Sequence, residues 1–401
     1  MSVSNIFVFL FFLILAFYLR VVGISIGGDL LINVLMFTSL ASSVLQVLLV
    51  FLIGRMFNLL AGLIASGFLA VSFLSVIYSQ SFEPYNLVTF FVLLLSFFSL
   101  KAYKKNNLKL VRQWISIGCF VIFVFYVFFA FPLLVQNYYS DYLHNRSNSF
   151  FLHLFRFLLT GIGPVVWVSS FFLFRHVKDF DLQGLKILYS LPLFYLGILG
   201  FLHLRDLGLS VLFVPYISLA SAFVFSRLCE TWTCNNKRFF LILLFLFALY
   251  IPLKYSLHYN KLLSLSDTRQ IATSWIKKNT TRYFKITCDK NSIQTPKSAK
   301  RFELTSKLLK QKDWFKILRK KTDYVVVNSI DIDEAFNKRP DTLKKKYYRK
   351  ILKLKPYMVI NPYYKDIEEN MNHLIPEDLY LPYETLWLRE RPGPIIKIYK
   401  L

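Results

Sequence analysis

Between Gly54 and Phe91 the chain reads GRMFNLLAGLIASGFLAVSFLSVIYSQSFEPYNLVTFF, two apolar runs joined by the short polar and aromatic loop Tyr78–Tyr85. A hydrocarbon core about 30 Å thick takes roughly 20 apolar residues of helix. Each run can therefore cross a bilayer, and the loop between them must lie at one membrane face. The same texture fills the first 254 residues, with apolar runs near 5–23, 30–54, 58–77, 86–102, 114–135, 159–174, 187–203, 208–226 and 239–254. These runs, about nine, predict a polytopic α-helical membrane bundle. The first run lacks the basic start and small-residue cleavage site of a secretory signal, so it reads as a span.

The texture changes near residue 260. Up to Lys254 there are 17 Lys/Arg and 7 acids; from Tyr255 to Leu401 there are 31 and 16, a net charge of +15. The chain divides into a transmembrane bundle, 1–254, and a basic domain, 255–401, long enough for one independent core. That charge suits anionic lipid head groups or phosphorylated substrates. Nucleic acid is not expected, because the domain is tethered to a membrane bundle and carries no nucleic-acid-binding signature. Cys119 lies in an apolar run, Cys229 and Cys234 share one short loop, and Cys288 is alone in the tail. Zinc would need closer pairs and further ligands, and one cysteine cannot form a disulfide within the tail. No cofactor is expected, and a divalent-metal requirement is left open.

The basic loops set an orientation. Lys101, Lys104, Lys105, Lys109 and Arg112 crowd one loop, Arg175, Lys178 and Lys186 a second, Arg227, Lys237 and Arg238 a third, and Arg55 marks a fourth turn. By the positive-inside rule these face the cytoplasm. Loops 78–85, 136–150 and 204–207 then face outward, as does everything after Lys254, which makes the tail extracytoplasmic. The outward loops gather the polar groups: Tyr78, Gln80, Glu83 and Tyr85 in one, Asp141, His144 and Arg146 in the next, His203, Arg205 and Asp206 in the third, with Lys254 at the end of the last run. An acid at a membrane face is a functional candidate, so Glu83 stands out. The plainer alternative is a solvated loop acid among interfacial anchors, with tyrosines as a belt and Lys/Arg snorkelling.

In the tail, Asp267 precedes apolar residues at helical spacing and can cap a first turn. Residues 283–288 and 323–328 read as short buried strands, 307–321 and 342–353 as basic helices, and the end, Arg391–Leu401, as a turn followed by an alternating strand. Alternating helix and strand predict a small α/β domain. It holds no glycine-rich phosphate loop and no Ser–His pairing, and its charge runs read as solvated helix faces.

GRMFN-x-x-AGLIA, YSQ-x-x-x-PY and the following FF resemble the polyprenyl-phosphate-sugar glycosyltransferases of the GT-C superfamily. Those are the dolichyl-phosphate-mannose protein mannosyltransferase type (glycosyltransferase family 39) and its bacterial aminoarabinose-transferase relatives. In the tail, D-T-R-x-x-A-x-x-W-I at 267–276, D-Y-V-V-V at 323–327 and R-P-G-P-x-I-x-I-Y at 391–399 resemble the extracytoplasmic domain of bacterial members. The resemblance implies an integral protein of a bacterial inner or plasma membrane. It implies transfer of a sugar, with inversion, from a polyprenyl-phosphate carrier to an acceptor outside the cytoplasm. An outward acid would serve as general base and cations would meet the departing phosphate. Glu83 and Asp29 are the candidates for the base, and Tyr78, Gln80, Tyr85, His203, Arg205 and Lys254 for substrate binding. Relatives carry an Asp-Glu motif in a long loop after their first helix; here the first Asp-Glu dipeptide is Asp333-Glu334 in the tail, and the opening resembles the stretch that follows that loop. A start upstream, a truncated gene, or an acid supplied elsewhere would each account for this. The second reading is therefore a catalytically incomplete member that binds carrier lipid or partners a complete enzyme. A transporter is a third reading, weakened by the lack of an internal repeat.

Overall fold

The computed structural model describes residues 3–21, 30–80, 85–125, 158–159, 161–176, 180–202, 207–232, 235–279, 284–289, 293, 299–302, 309–333, 335–336, 342–364 and 386–401. They divide into two compact units, one reaching Asn260 and one running from Lys261 to Leu401.

The first unit is all helical. Its helices are α1 (Val3–Val21), α2 (Leu30–Phe57), α3 (Leu59–Val71), α4 (Phe73–Ser79), α5 (Tyr85–Lys104), α6 (Leu108–Phe125), α7 (Pro164–Phe171), α8 (Leu173–His176), α9 (Leu182–Leu202), α10 (Phe213–Thr231) and α11 (Asn235–Leu263). Seven of them are long and apolar enough to cross a membrane, and an eighth span results if α3 and α4, bent by 57° at Ser72, are taken together. This is the expected polytopic bundle, with differences in detail. The third run is broken rather than continuous. The sixth run is interrupted, with helical residues at 158–159 and 161–162 and then the short α7 and α8. Gly163, at φ 98°, and Pro164 at the start of α7 interrupt the chain there, because that backbone region favours glycine and proline cannot donate to a preceding turn. The ninth run does not stop at Lys254: α11 continues to Leu263 through the internal Pro252.

The turn between α2 and α3 explains the GRMFN-x-x-AGLIA segment. Asn58 caps α3 by accepting from the Leu60 N–H at 2.9 Å, and its Nδ2 donates to Glu230 Oε1 at 2.6 Å. Gly54 and Gly62 let the two helices touch. A Cβ on Gly62 would lie 2.7 Å from the Phe51 carbonyl oxygen, and one on Gly54 2.6 Å from the Gly62 Cα. Small residues at such a crossing are how membrane helices reach close packing without a hydrophobic driving force between them.

Several basic turns gather at this end of the bundle. Asn58 meets Glu230 there, which also receives Arg227 at 3.1 Å. The Lys104 ammonium lies 5.8 Å from the Phe57 ring centroid. The Tyr103 hydroxyl donates to Asp181 Oδ1 at 3.0 Å, so the end of α5 is tied to the start of α9.

The second unit is a five-stranded mixed sheet between helices. It contains α12 (Thr268–Asn279), β1 (Phe284–Cys288), β2 (Ala299–Arg301), α13 (Trp314–Lys321), β3 (Tyr324–Asn328), α14 (Ser329–Asp333), α15 (Thr342–Ile351), β4 (Met358–Ile360) and β5 (Ile396–Lys400). The strand order is β2-β1-β3-β5-β4, with β2, β1 and β3 parallel and β5 antiparallel to both β3 and β4. Alternation along β3 and β5 feeds two cores. Val326, Ile396 and Ile398 pack with Ala272 and Ile276 of α12 on one face. Val325, Val327 and Tyr399 pack with Leu318 of α13 and Tyr347, Tyr348 and Ile351 of α15 on the other.

The tail segments that carry the family resemblance meet one another. Asp267 Oδ1 accepts the Arg269 N–H at 2.7 Å, the expected cap of α12. The Thr268 hydroxyl donates to the Pro394 carbonyl at 2.8 Å, and Gly393 is at φ 104° with Arg389 donating to its carbonyl at 2.9 Å.

Candidate functional site

The site is built around the break in the third run. At Ser72 the backbone leaves the helical region (φ −56°, ψ 116°), which strips carbonyls of their intrahelical donors. A bilayer supplies no water to replace them, so the protein must. Arg20 of α1 does most of this. Its Nη2 donates to the Leu69 carbonyl at 3.1 Å and its Nη1 to the Ala70 carbonyl at 3.0 Å. The Ser256 hydroxyl of α11 takes the Val71 carbonyl at 3.2 Å.

The remaining guanidinium donors are also used. Nε donates to Ser43 Oγ at 2.7 Å, Nη2 to Ser75 Oγ at 2.8 Å, and Nη1 to the Ala16 carbonyl at 3.0 Å. A guanidinium has five N–H groups, and all five are engaged within the protein. Arg20 is fully buried, and its partners are neutral. It is a clamp on the kink and has no donor left for a ligand phosphate.

From the break, α4 leads to the polar end of the bundle. Gln80 Nε2 donates to the Leu19 carbonyl at 3.1 Å and to Asn260 Oδ1 at 2.9 Å, while Asn260 Nδ2 donates to the same Leu19 carbonyl at 2.7 Å. These bonds satisfy the last turn of α1, whose carbonyls have no intrahelical partner. Tyr78 is 1 % exposed and Tyr85 6 %. Their rings meet edge to face at 5.5 Å, and Tyr85 meets Phe125 in the same way at 6.0 Å. Beside them Gln46 Nε2 donates to the Asn86 carbonyl at 2.8 Å, and Ser39 donates to the Tyr78 carbonyl at 3.0 Å. Tyr78 and Tyr85 thus pack together, while Gln80, two residues beyond Tyr78, is tied to α1 and α11. Lys254 is exposed on α11. Standing two residues before the inward Ser256, it falls roughly on the opposite side of that helix. Asp29, Glu83, His203 and Arg205 lie outside the described residues.

Arg20, Ser72 and Asn260 were not among the expected site residues. The signal for Arg20 was present, since a lone arginine inside the apolar run FYLRVV is an intramembrane charge and calls for a partner. Among the described residues no group of three or more His, Cys, Asp or Glu could hold a metal ion.

A polytopic helical bundle followed by a small sheet-containing unit agrees with a GT-C-like fold. Residues 13–167 match the family model described as dolichyl-phosphate-mannose-protein mannosyltransferase, so this segment of the chain is similar to that GT-C-type family. The matched segment includes the Arg20 clamp, the Gly54–Gly62 crossing and the bent pair. No curated protein and no solved structure matches the chain.

Proposed function

We propose that this membrane protein takes a sugar from a polyprenyl-phosphate carrier and passes it, with inversion, to an extracytoplasmic acceptor. The family match over residues 13–167 carries the reading, because it falls on the segment that leads through the bent pair into the loop holding Glu83. In this scheme Glu83, with Asp29 as the second candidate, accepts the proton of the acceptor hydroxyl as its oxygen attacks the anomeric carbon. The bond from that carbon to the phosphate oxygen breaks, and its electron pair leaves with the carrier phosphate. His203 and Arg205 supply positive charge where that negative charge develops, while Lys254, on the far side of α11, drops out of the scheme. Tyr78, Gln80 and Tyr85 form the stiff frame from which the loop is hung.

Arg20 is left out of this scheme because its donors are all engaged. The positive-inside pattern supports an orientation with the tail outside the cytoplasm. Glu83→Ala and Arg205→Ala are each expected to lower sugar transfer by about a hundredfold or more, with expression and folding intact. Unchanged transfer in either variant removes that residue from the scheme.

A further inference from the structure

The charge runs of the tail, read from sequence as solvated helix faces, converge in the structure. Helices α13 and α15 lie side by side on one face of the sheet, with their inner sides joined through Trp314 and Tyr347 at 6.0 Å between ring centroids. Their outer sides form the walls of one open groove. Lys312 and Lys316 stand on one wall, and Lys346, Arg349, Lys350 and Lys353 on the other. All six are exposed. Among the described residues the only carboxylate in the groove is Asp313, paired with Lys316 at 3.7 Å across two exposed side chains.

Like charges gathered along one groove repel one another, and an anion lying between them relieves that repulsion. The concave shape and the placement of cations on both walls fit a chain lying along the groove better than a flat bilayer, which would meet only the rims. The aromatic floor argues against nucleic acid. Phe315 is half-buried, and its ring is already approached by Lys350 at 5.4 Å and Arg319 at 5.7 Å. Neither aromatic of the groove, the buried Trp314 or the half-buried Phe315, stands exposed as a platform for a base to stack upon.

We propose that the groove between α13 and α15 binds a linear polyanion built on phosphate groups and lacking bases, such as a sugar-phosphate or polyol-phosphate chain. This stands on the tail alone and does not depend on the transferase reading.

The test uses the full chain in nanodiscs of neutral phosphatidylcholine, titrated with inorganic polyphosphate as the probe. Saturable binding is expected, weakening by about three-hundredfold or more between about 50 and 200 mM salt if some six phosphates are contacted. Changing Lys346, Arg349, Lys350 and Lys353 together to Gln should weaken binding at least about tenfold, while Lys277, Lys278, Lys300 and Arg301 changed to Gln should leave it within about twofold. All eight positions are exposed, and an unchanged thermal midpoint confirms that each variant is folded. Equal weakening by both sets would reduce the effect to net charge and overturn the site. Two further results would overturn the choice of ligand. One is loss of polyphosphate binding in discs containing about 30 mol% phosphatidylglycerol, which would assign the groove to the bilayer surface. The other is tighter binding of a single-stranded oligonucleotide of equal charge, which would assign it to nucleic acid.

Discussion

Arg20 brings a guanidinium into a helical bundle where every group answering it is a hydroxyl or a carbonyl. Its hydrogen bonds close a gap in the backbone that Ser72 opens. Arg20→Ala would strip the Ala70 carbonyl of its guanidinium donor and leave the Leu69 carbonyl with only the Ser72 N–H at 3.3 Å. The expected cost is about 3 kcal/mol or more, read as a lower thermal midpoint of the full chain in detergent. Lysine should recover only part of it, since an ammonium offers three donors as a point charge where the fork offers five. An unchanged midpoint in Arg20→Ala would remove the clamp. In the tail, Asp289 follows β1 and is pushed up to about 7, first by burial and then by Asp331. The Tyr348 hydroxyl, the Asn328 N–H and Lys344 oppose that shift. A carboxyl with a raised folded value contributes stability that is full below its ordinary value near 4 and is lost as pH rises through 7. Hydrogen-exchange protection at β1 and β3, taken relative to the intrinsic exchange rate at each pH, should therefore fall between about pH 4 and 7, and Asp289→Asn should flatten that dependence. An equally steep dependence in the variant would contradict this assignment.

At the scale of elements, the Gly54–Gly62 crossing makes a sharp demand. Gly62→Ala would place a Cβ 2.7 Å from the Phe51 carbonyl oxygen and 2.9 Å from the Arg55 nitrogen. Backbone on both sides cannot yield as a side chain would, so a loss of about 1–3 kcal/mol is expected on thermal unfolding. Spans were legible because twenty apolar residues in a row have one use. β1, β3 and β5 were legible because β-branched and aromatic residues alternate there. The break at Ser72 was not, because serine is tolerated inside membrane helices and the groups that stabilise the kink come from α1 and α11. β2 and β4 escaped for another reason. Each has three residues at a sheet edge and takes its conformation from its neighbour. Of the expected site residues, Tyr78 and Tyr85 pack against each other, while Asp29, Glu83, His203 and Arg205 lie outside the described residues. That Gln80 is committed to the end of α1, and Arg20 to the kink, is tertiary information that spacing does not carry.

At the scale of the molecule, the proposed orientation predicts which segments an impermeant reagent can reach. A single cysteine replacing Lys278 in the tail should react with an impermeant maleimide on intact cells, and one replacing Lys105 should react only after permeabilisation. The reverse pattern would invert the topology and take the proposed donor site to the other side of the membrane. The central claim is sugar transfer from a lipid phosphate, and its most direct measurement is the release of free polyprenyl phosphate. The full chain in nanodiscs would be given a panel of polyprenyl-phosphate sugars with the headgroup labelled. Saturable consumption of one donor, with equimolar free carrier phosphate and loss of both in Glu83→Ala, is the predicted result. Donor that binds but is never consumed, whatever the sugar, would contradict it and leave a protein that holds the carrier lipid without acting on it.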